Sequence, residues 1–268
     1  MISQSPITSF EKYPSIMAQH EAGNLSSKYH FVPTTRVIDI LAANNWHPFK
    51  AQEVRARSEK YGYQKHLIRF RQIYSPATIN INDLIPEIVL TNSHDGGTAF
   101  QICCGIFRLV CANGLMVADS TFASHRIKHM GFKDELVLEA IDDVVKTTPR
   151  IMNKVDEFKS IALTKDEQLA YAESAFSIKF TEERQNNLNL EPQYLLEPRR
   201  IEDREPTLWN TFNIVQEKFM RSGFGYATDK NKHRTIISRE VKSISESIRL
   251  NKSLWMLTEK MAELKKVA

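Results

Sequence analysis

The chain has no glycine loop of the phosphate-cradling or dinucleotide-binding kind. Its one Gly-x-Gly, Gly223 to Gly225, has no third glycine and reads as a helix-ending break. That removes the nucleotide enzymes built on those two motifs. Cysteine is scarce: Cys103, Cys104 and Cys111 lack C-x-x-C spacing and an adjacent cation that would activate a thiolate. They do not make a disulfide framework, and in an apolar run they act as small hydrophobes. No apolar stretch approaches the length of a membrane span, and Met1 to Pro6 lacks a charged n-region and a following apolar run. A cytoplasmic protein with no membrane partner is expected. Strong charge of one sign is missing too: 268 residues carry a formal net charge of +4. This is compatible with nucleic-acid binding without indicating it. The charge is uneven, however, with basic segments around residue 55 and from Lys230 to Lys266, and an acidic one from Asp134 to Asp143. The length is ample for a full core.

What stands out is a pair of Arg-x-Arg segments, Gln52 to Arg57 and Lys65 to Arg71, separated by Ser58 to Gln64. Side chains alternate across a strand. Val54 and Ala56 then share one face of the first strand, and Ile68 and Phe70 one face of the second. Arg55, Arg57, Arg69 and Arg71 point the other way. Paired as a hairpin, the strands would gather four guanidinium groups on one side. Like charges across strands are unfavourable without a counter-charge, which suggests a polyphosphate backbone as partner. The alternative is a solvated face with Glu53 and Glu59 as local counter-ions. Tyr61 and Tyr63 in the turn are the stacking candidates for unpaired bases, and Lys65 a further phosphate contact. Tyr74 lies close by, and Phe70 belongs to the core by alternation.

Around this hairpin the chain reads as α+β: an antiparallel sheet of two hairpins in the first half, packed with helices mostly from the second. Residues 1–30 are polar and read as a loosely held arm, and 31–268 as a single domain with a helical C-terminal half. Thr34-Thr35 starts a helix with an apolar stripe of Val37, Ile38, Ile40 and Leu41, which Asn44-Asn45 ends. Glu87 to Thr91 is a strand, Asn92 to Gly97 a tight turn, and Ala99 to Cys111 a long strand bent at Gly105 and closed by Ala112-Asn113-Gly114. Helical spacing returns from Asp134 to Phe158, with Pro149 a break or the first turn of a new helix. Thr164 opens a helix with acidic residues in its first turn. Thr181 to Glu205 reads as a long polar loop, Thr207 opens a helix through Met220, and a final helix covers Ser238 to Lys266.

Other chemical candidates are weaker. His125 and His129 would share a helix face, but no glutamate follows the first and no third ligand is near, so a basic surface segment is the simpler account. Ser93, His94 and Asp95 are neighbours in a tight turn and do not converge on one substrate atom as a nucleophile and base must. Glu197, Glu202 and Asp203 lie among Arg199, Arg200 and Arg204, so mutual salt bridging accounts for them. No catalytic residue, metal site or cofactor is expected.

Several segments resemble a phage- and plasmid-borne bacterial family of unknown function, the YfjQ, YafZ and YubP type. They are Asn92 to Gly96, Val110 to Leu115, Thr207 to Asn213, Gln216-Glu217 and Asn251 to Trp255. The resemblance implies a bacterial cytosol and a mobile element; it transfers no catalytic residue. Physically, Trp209, Phe212, Leu254 and Trp255 are expected to anchor two helices, with Asn213, Gln216 and Asn251 bonded between them. The element order also has a fold-level analogy with single-strand annealing proteins. The expected function is therefore a nucleic-acid-binding accessory protein that binds or anneals single-stranded DNA through Arg55, Arg57, Tyr61, Tyr63, Lys65, Arg69 and Arg71. The alternative is an effector that inhibits or recruits a host protein through its apolar helices or the 181–205 loop. An enzyme using the His94-Asp95 loop ranks last.

Overall fold

The computed structural model describes residues 6–23, 25–27, 29–72, 84–108, 124–127, 133–186, 188–221, 225–230, 234–237 and 239–267. Tyr74, Cys111, His129, the 110–115 segment and the glycine break at 222–224 lie outside them. Backbone proximity divides the chain into two compact units, Met1–Pro149 and Arg150–Ala268. The class is α+β, with an antiparallel sheet in the first half and most of the helices in the second.

The first unit is built on a five-stranded meander in the order β1-β2-β3-β4-β5. Its strands are Trp46–Glu53, His66–Gln72, Leu84–Asn92, Phe100–Arg108 and Ser124–Ile127. Register places Phe70 opposite Ile88, Ile88 opposite Cys104, and Ile68 opposite Leu90, itself opposite Ile102. Opposed residues share a face, so these six side chains form one continuous apolar surface, all of it buried. Helix α1 (Thr34–Ala43) lies on that face, burying Thr34, Val37, Ile38 and Leu41. It ends where the sequence indicates: Asn45 takes φ 64°, a left-handed stop that asparagine tolerates. The β3–β4 turn uses Gly96 at φ 72°, and a Cβ there would come within 2.7 Å of Leu25 Cδ2. Asp95 Oδ1 accepts from Gly97 N at 2.9 Å, and Ser93 Oγ accepts from Thr98 N at 2.9 Å, so both side chains brace the turn.

The stretch read as a loosely held arm is tied down. Ile7 N donates to Pro48 O at 2.6 Å, Ser15 Oγ to a Glu53 oxygen at 2.8 Å, and Ala22 N to His94 O at 3.0 Å. Ile16 is fully buried.

Helix α2 (Asp134–Ser160) carries Pro149 inside it, where the sequence suggested a break; the helix runs through. Proline removes one backbone donor, and the helix tolerates that where packing on both sides holds it. Val137, Ala140 and Val144 are buried before the proline, and Ile151, Val155 and Phe158 after it.

In the second unit α3 (Lys165–Lys179) opens with a complete capping box, Thr164 Oγ1 accepting from Glu167 N and Glu167 accepting from Thr164 N. The predicted long loop is more ordered than expected: it holds the short helix α4 (Glu182–Asn186), the strand β6 (Leu188–Leu190) and two 3-10 turns. Strand β6 pairs with β7 (Gly225–Asp229), which pairs in turn with β8 (Thr235–Ile237), in a second antiparallel sheet. Helix α5 (Leu208–Met220) is buried along its whole length, which is why it reads apolar on more than one face. Helix α6 (Ile244–Val267) packs on it: Phe212 meets Trp255 edge-on at 6.3 Å between centroids, Trp209 stacks on Phe212 at 5.5 Å, and Gln216 Nε2 donates to Asn251 Oδ1 at 2.6 Å. Gln216 and Asn251 bond between helices as the sequence suggested. Asn213 instead donates to Trp209 O within its own helix, at 2.8 Å.

Candidate nucleic-acid interface

The arginine hairpin forms, but shifted along the chain. Strand β1 ends at Glu53, and the pairs are Glu53 with His66, Ala51 with Ile68 and Lys50 with Arg69. Arg55 and Arg57 therefore lie beyond the strand, in the connection to β2, and do not face Arg69 and Arg71 across it. Pro48 and Trp46 explain the shift: the strand starts earlier, around a register irregularity between Pro48 and Lys50, and Trp46 and Ala51 bury with the core.

Alternation along β2 keeps Lys65, Leu67, Arg69 and Arg71 on one face. Here the counter-charge demanded by the sequence is internal. Glu87 on β3 is fully buried; its Oε2 accepts from Arg69 Nε at 2.5 Å, its Oε1 from Arg69 Nη2 at 2.9 Å, and Oε1 also from Arg71 Nε. Burial lowers the Arg69 pKa, and the Glu87 carboxylate opposes that shift. The suggested counter-ions serve elsewhere: Glu53 holds Ser15, and Glu59 is exposed in the 3-10 turn Ser58–Lys60.

At the other end of β2 the connection 54–65 presents polar and aromatic groups to solvent. Arg55 and Arg57 are exposed, and their guanidinium groups have no hydrogen-bonding or ionic partner among the described residues. Tyr61 is 62% exposed. Gly62 turns the chain at φ 88°, its N–H donating to Gln64 Oε1 at 2.7 Å. Tyr63 is half-buried, its hydroxyl 3.1 Å from His20 Nδ1. Lys60 pairs with Asp95 at 3.1 Å. Lys65 is half-buried, and desolvation lowers its pKa.

Beneath this loop sits a buried polar cluster that sequence reasoning missed. Thr34 Oγ1 lies 2.9 Å from His66 Nε2, 3.2 Å from His94 Nε2 and 3.2 Å from Asn92 Nδ2. His66 Nδ1 lies 3.3 Å from Gln64 O, so it carries the proton and its Nε2 accepts from the threonine hydroxyl. The threonine oxygen then accepts from Asn92 and from His94 Nε2–H. Burial pushes His66 down to about 4, which keeps it neutral. These groups fix the start of α1 on the sheet and give His94 Nε2 a structural partner. The signal available in the sequence was a threonine at a helix start with two histidines at strand ends; what could not be read was their convergence.

The remaining candidates resolve simply. His125 stands on strand β5 opposite Ile102, which overturns the helical i, i+4 pairing with His129. Of the acids expected to pair within their own loop, Asp203 meets Arg200 at 3.5 Å; Arg200 mainly holds Glu217 of α5, through two bonds at 2.8 and 3.0 Å, and Glu197 lies 3.7 Å from Lys218 of α5. Among the described residues no group of three or more His, Cys, Asp or Glu is placed to hold a metal, and no helix is long and apolar enough to cross a membrane.

Two curated relatives, both from Escherichia coli (strain K12), align over 251 residues. UPF0380 protein YafZ is 31% identical and UPF0380 protein YfjQ 32% identical, each alignment covering 93% of this chain and 88% of the relative. No solved structure matches the chain. Residues 22–255 match the family described as a domain of unknown function, DUF932, a span that takes in the arginine hairpin, the buried Thr34 cluster, α5 and the first half of α6. The chain belongs to that family.

Proposed function

We propose that this protein is a nucleic-acid-binding accessory protein of a mobile genetic element, acting on single-stranded DNA in the bacterial cytoplasm. The observation that carries the reading is the β1–β2 connection. Two exposed arginines whose guanidinium groups have no partner among the described residues, Arg55 and Arg57, precede a largely exposed tyrosine, Tyr61, on a loop braced by Tyr63–His20 and Lys60–Asp95. Partnerless guanidinium groups suit phosphates, and an exposed ring suits an unpaired base. Lys65 extends the basic edge onto the face of β2 that leads to Arg69 and Arg71. Arg69 is spent on Glu87, so its role in binding is to position Glu87, and through it Arg71. The mobile-element setting rests on the family resemblance.

Fluorescence anisotropy with a labelled oligothymidylate, at low and moderate salt and with duplex as competitor, tests the reading. Salt-sensitive binding that prefers single strands is expected. It should fall about tenfold or more in an Arg55→Ala/Arg57→Ala double variant, because two phosphate-binding cations are removed. Binding indifferent to salt and to both substitutions would sink it.

The second reading is an effector that binds a host protein. It is favoured by three exposed apolar residues that fall near one side of α6: Met256, Leu264 and Val267. One stoichiometric host protein recovered without nucleic acid, and no longer recovered on a Met256→Lys/Leu264→Lys change, would support it.

A further inference from the structure

We infer that Arg71 forms a discrete phosphate-binding fork on the sheet, built by Glu87 and Phe49 and separate from the basic loop at the far end of β2. Three observations meet there. Arg71 donates through Nε to Glu87 Oε1, which fixes the plane of the guanidinium. Its Cζ lies over the Phe49 ring, 5.3 Å from the centroid. Its Nη1 and Nη2 groups have no partner among the described residues, although the side chain is only 13% exposed.

A guanidinium held by one edge and one face has a single edge left for a ligand. That edge is the two-pronged pair of N–H groups that matches two oxygens of a phosphate. The charge agrees: Arg71 brings its positive charge to a half-buried place, where it attracts an anion more strongly than an exposed lysine would. Glu87 is here a positioning residue. Five strand positions separate His66, next to the loop, from Arg71, about 17 Å along an extended chain. The fork is thus a second point of contact, not part of the loop.

The ligand class is a phosphate group with two free oxygens. It is supplied either by a free phosphate or phosphomonoester, or by the backbone of a single strand that also crosses the Tyr61 loop. The fork does not depend on the nucleic-acid reading, and the experiment separates the two. Thermal unfolding of the full chain is followed with inorganic phosphate against sodium chloride at matched ionic strength. A saturable rise in Tm of about 3–5 °C at ten times the Kd is expected. The rise should vanish in Arg71→Gln and persist in Arg239→Gln, which removes an exposed arginine of the second unit. General salting-out stabilisation would survive Arg71→Gln, and that result overturns the site, as does no rise in the unsubstituted chain. Should Arg71→Gln not fold, Arg71→Lys keeps a cation beside Glu87 but loses the fork, and the phosphate response should again disappear. Anisotropy with a 5′-hydroxyl oligothymidylate then assigns the source. A tenfold or larger loss in Arg71→Gln supports backbone phosphate. A phosphate response without oligonucleotide binding supports free phosphate, keeps this site and removes the proposed function. Oligonucleotide binding unaffected by Arg71→Gln, with no phosphate response, removes this site and keeps the proposed function.

Discussion

At the scale of single residues, the first half of the chain is governed by polar groups buried in pairs and clusters. His66 shows the consequence most directly. Its imidazole is neutral in the fold because burial has pushed its pKa from 6.5 to about 4. In the unfolded chain it takes up a proton near its ordinary value. Between those two values the unfolded state binds more protons, so stability is full above about pH 6.5 and falls as the pH drops towards 4. From pH 7 to pH 5 this one group removes about 2 kcal/mol. Urea unfolding at the two pH values measures it. His66→Gln should show a fall smaller by about that amount, whatever its own stability at pH 7. An unchanged difference between the two pH values would mean that His66 is not held neutral by the fold.

At the scale of elements, periodicity made much of the fold legible. Helix α1 stops at Asn44-Asn45 as the sequence indicates, the Asp95-Gly96 turn joins β3 to β4, and α3 begins at the Thr164 box. These are local signals, decided within a few residues. What failed was longer range. The register of β1 was misplaced because Trp46 and Pro48 do not alternate cleanly with the arginines that follow. The strands β5 to β8 are short, and a strand of three to five residues has almost no period of its own. For the candidate site, the sequence marked the basic residues but not Glu87, a lone acid between Pro86 and Ile88 in an apolar strand, which only register brings to Arg69 and Arg71. The amide pair between α5 and α6 was legible, and it carries an expected outcome. Asn251→Ala removes the acceptor of a buried Gln216 amide, leaving that donor dry at a cost of about 1–3 kcal/mol beyond the packing removed. Replacing both residues by leucine should cost less than the two single changes combined, because no polar group is then left without a partner. Chemical denaturation of the four-member cycle measures this; simple additivity would deny the coupling.

At the scale of the whole molecule, the division at Pro149–Arg150 gives each unit its own core, one around Ile68, Phe70 and Ile88 and the other around Phe158, Phe212 and Trp255. Nothing in the sequence marks the division by composition, since it falls inside a continuous helix rather than in a linker. A chain with two cores need not unfold in one step. Calorimetry of the full chain is expected to show two transitions, and substitutions can assign them. Glu87→Gln leaves two buried guanidinium groups without their counter-charge, a loss of about 3–5 kcal/mol that lowers one transition by roughly 10 °C or more. Asn251→Ala lowers the other by roughly 5 °C or more and leaves the first in place. The chemistry assigned to the chain lies in the unit holding Glu87, so phosphate should raise that same transition alone. If a single transition moves with either substitution, the two cores unfold as one.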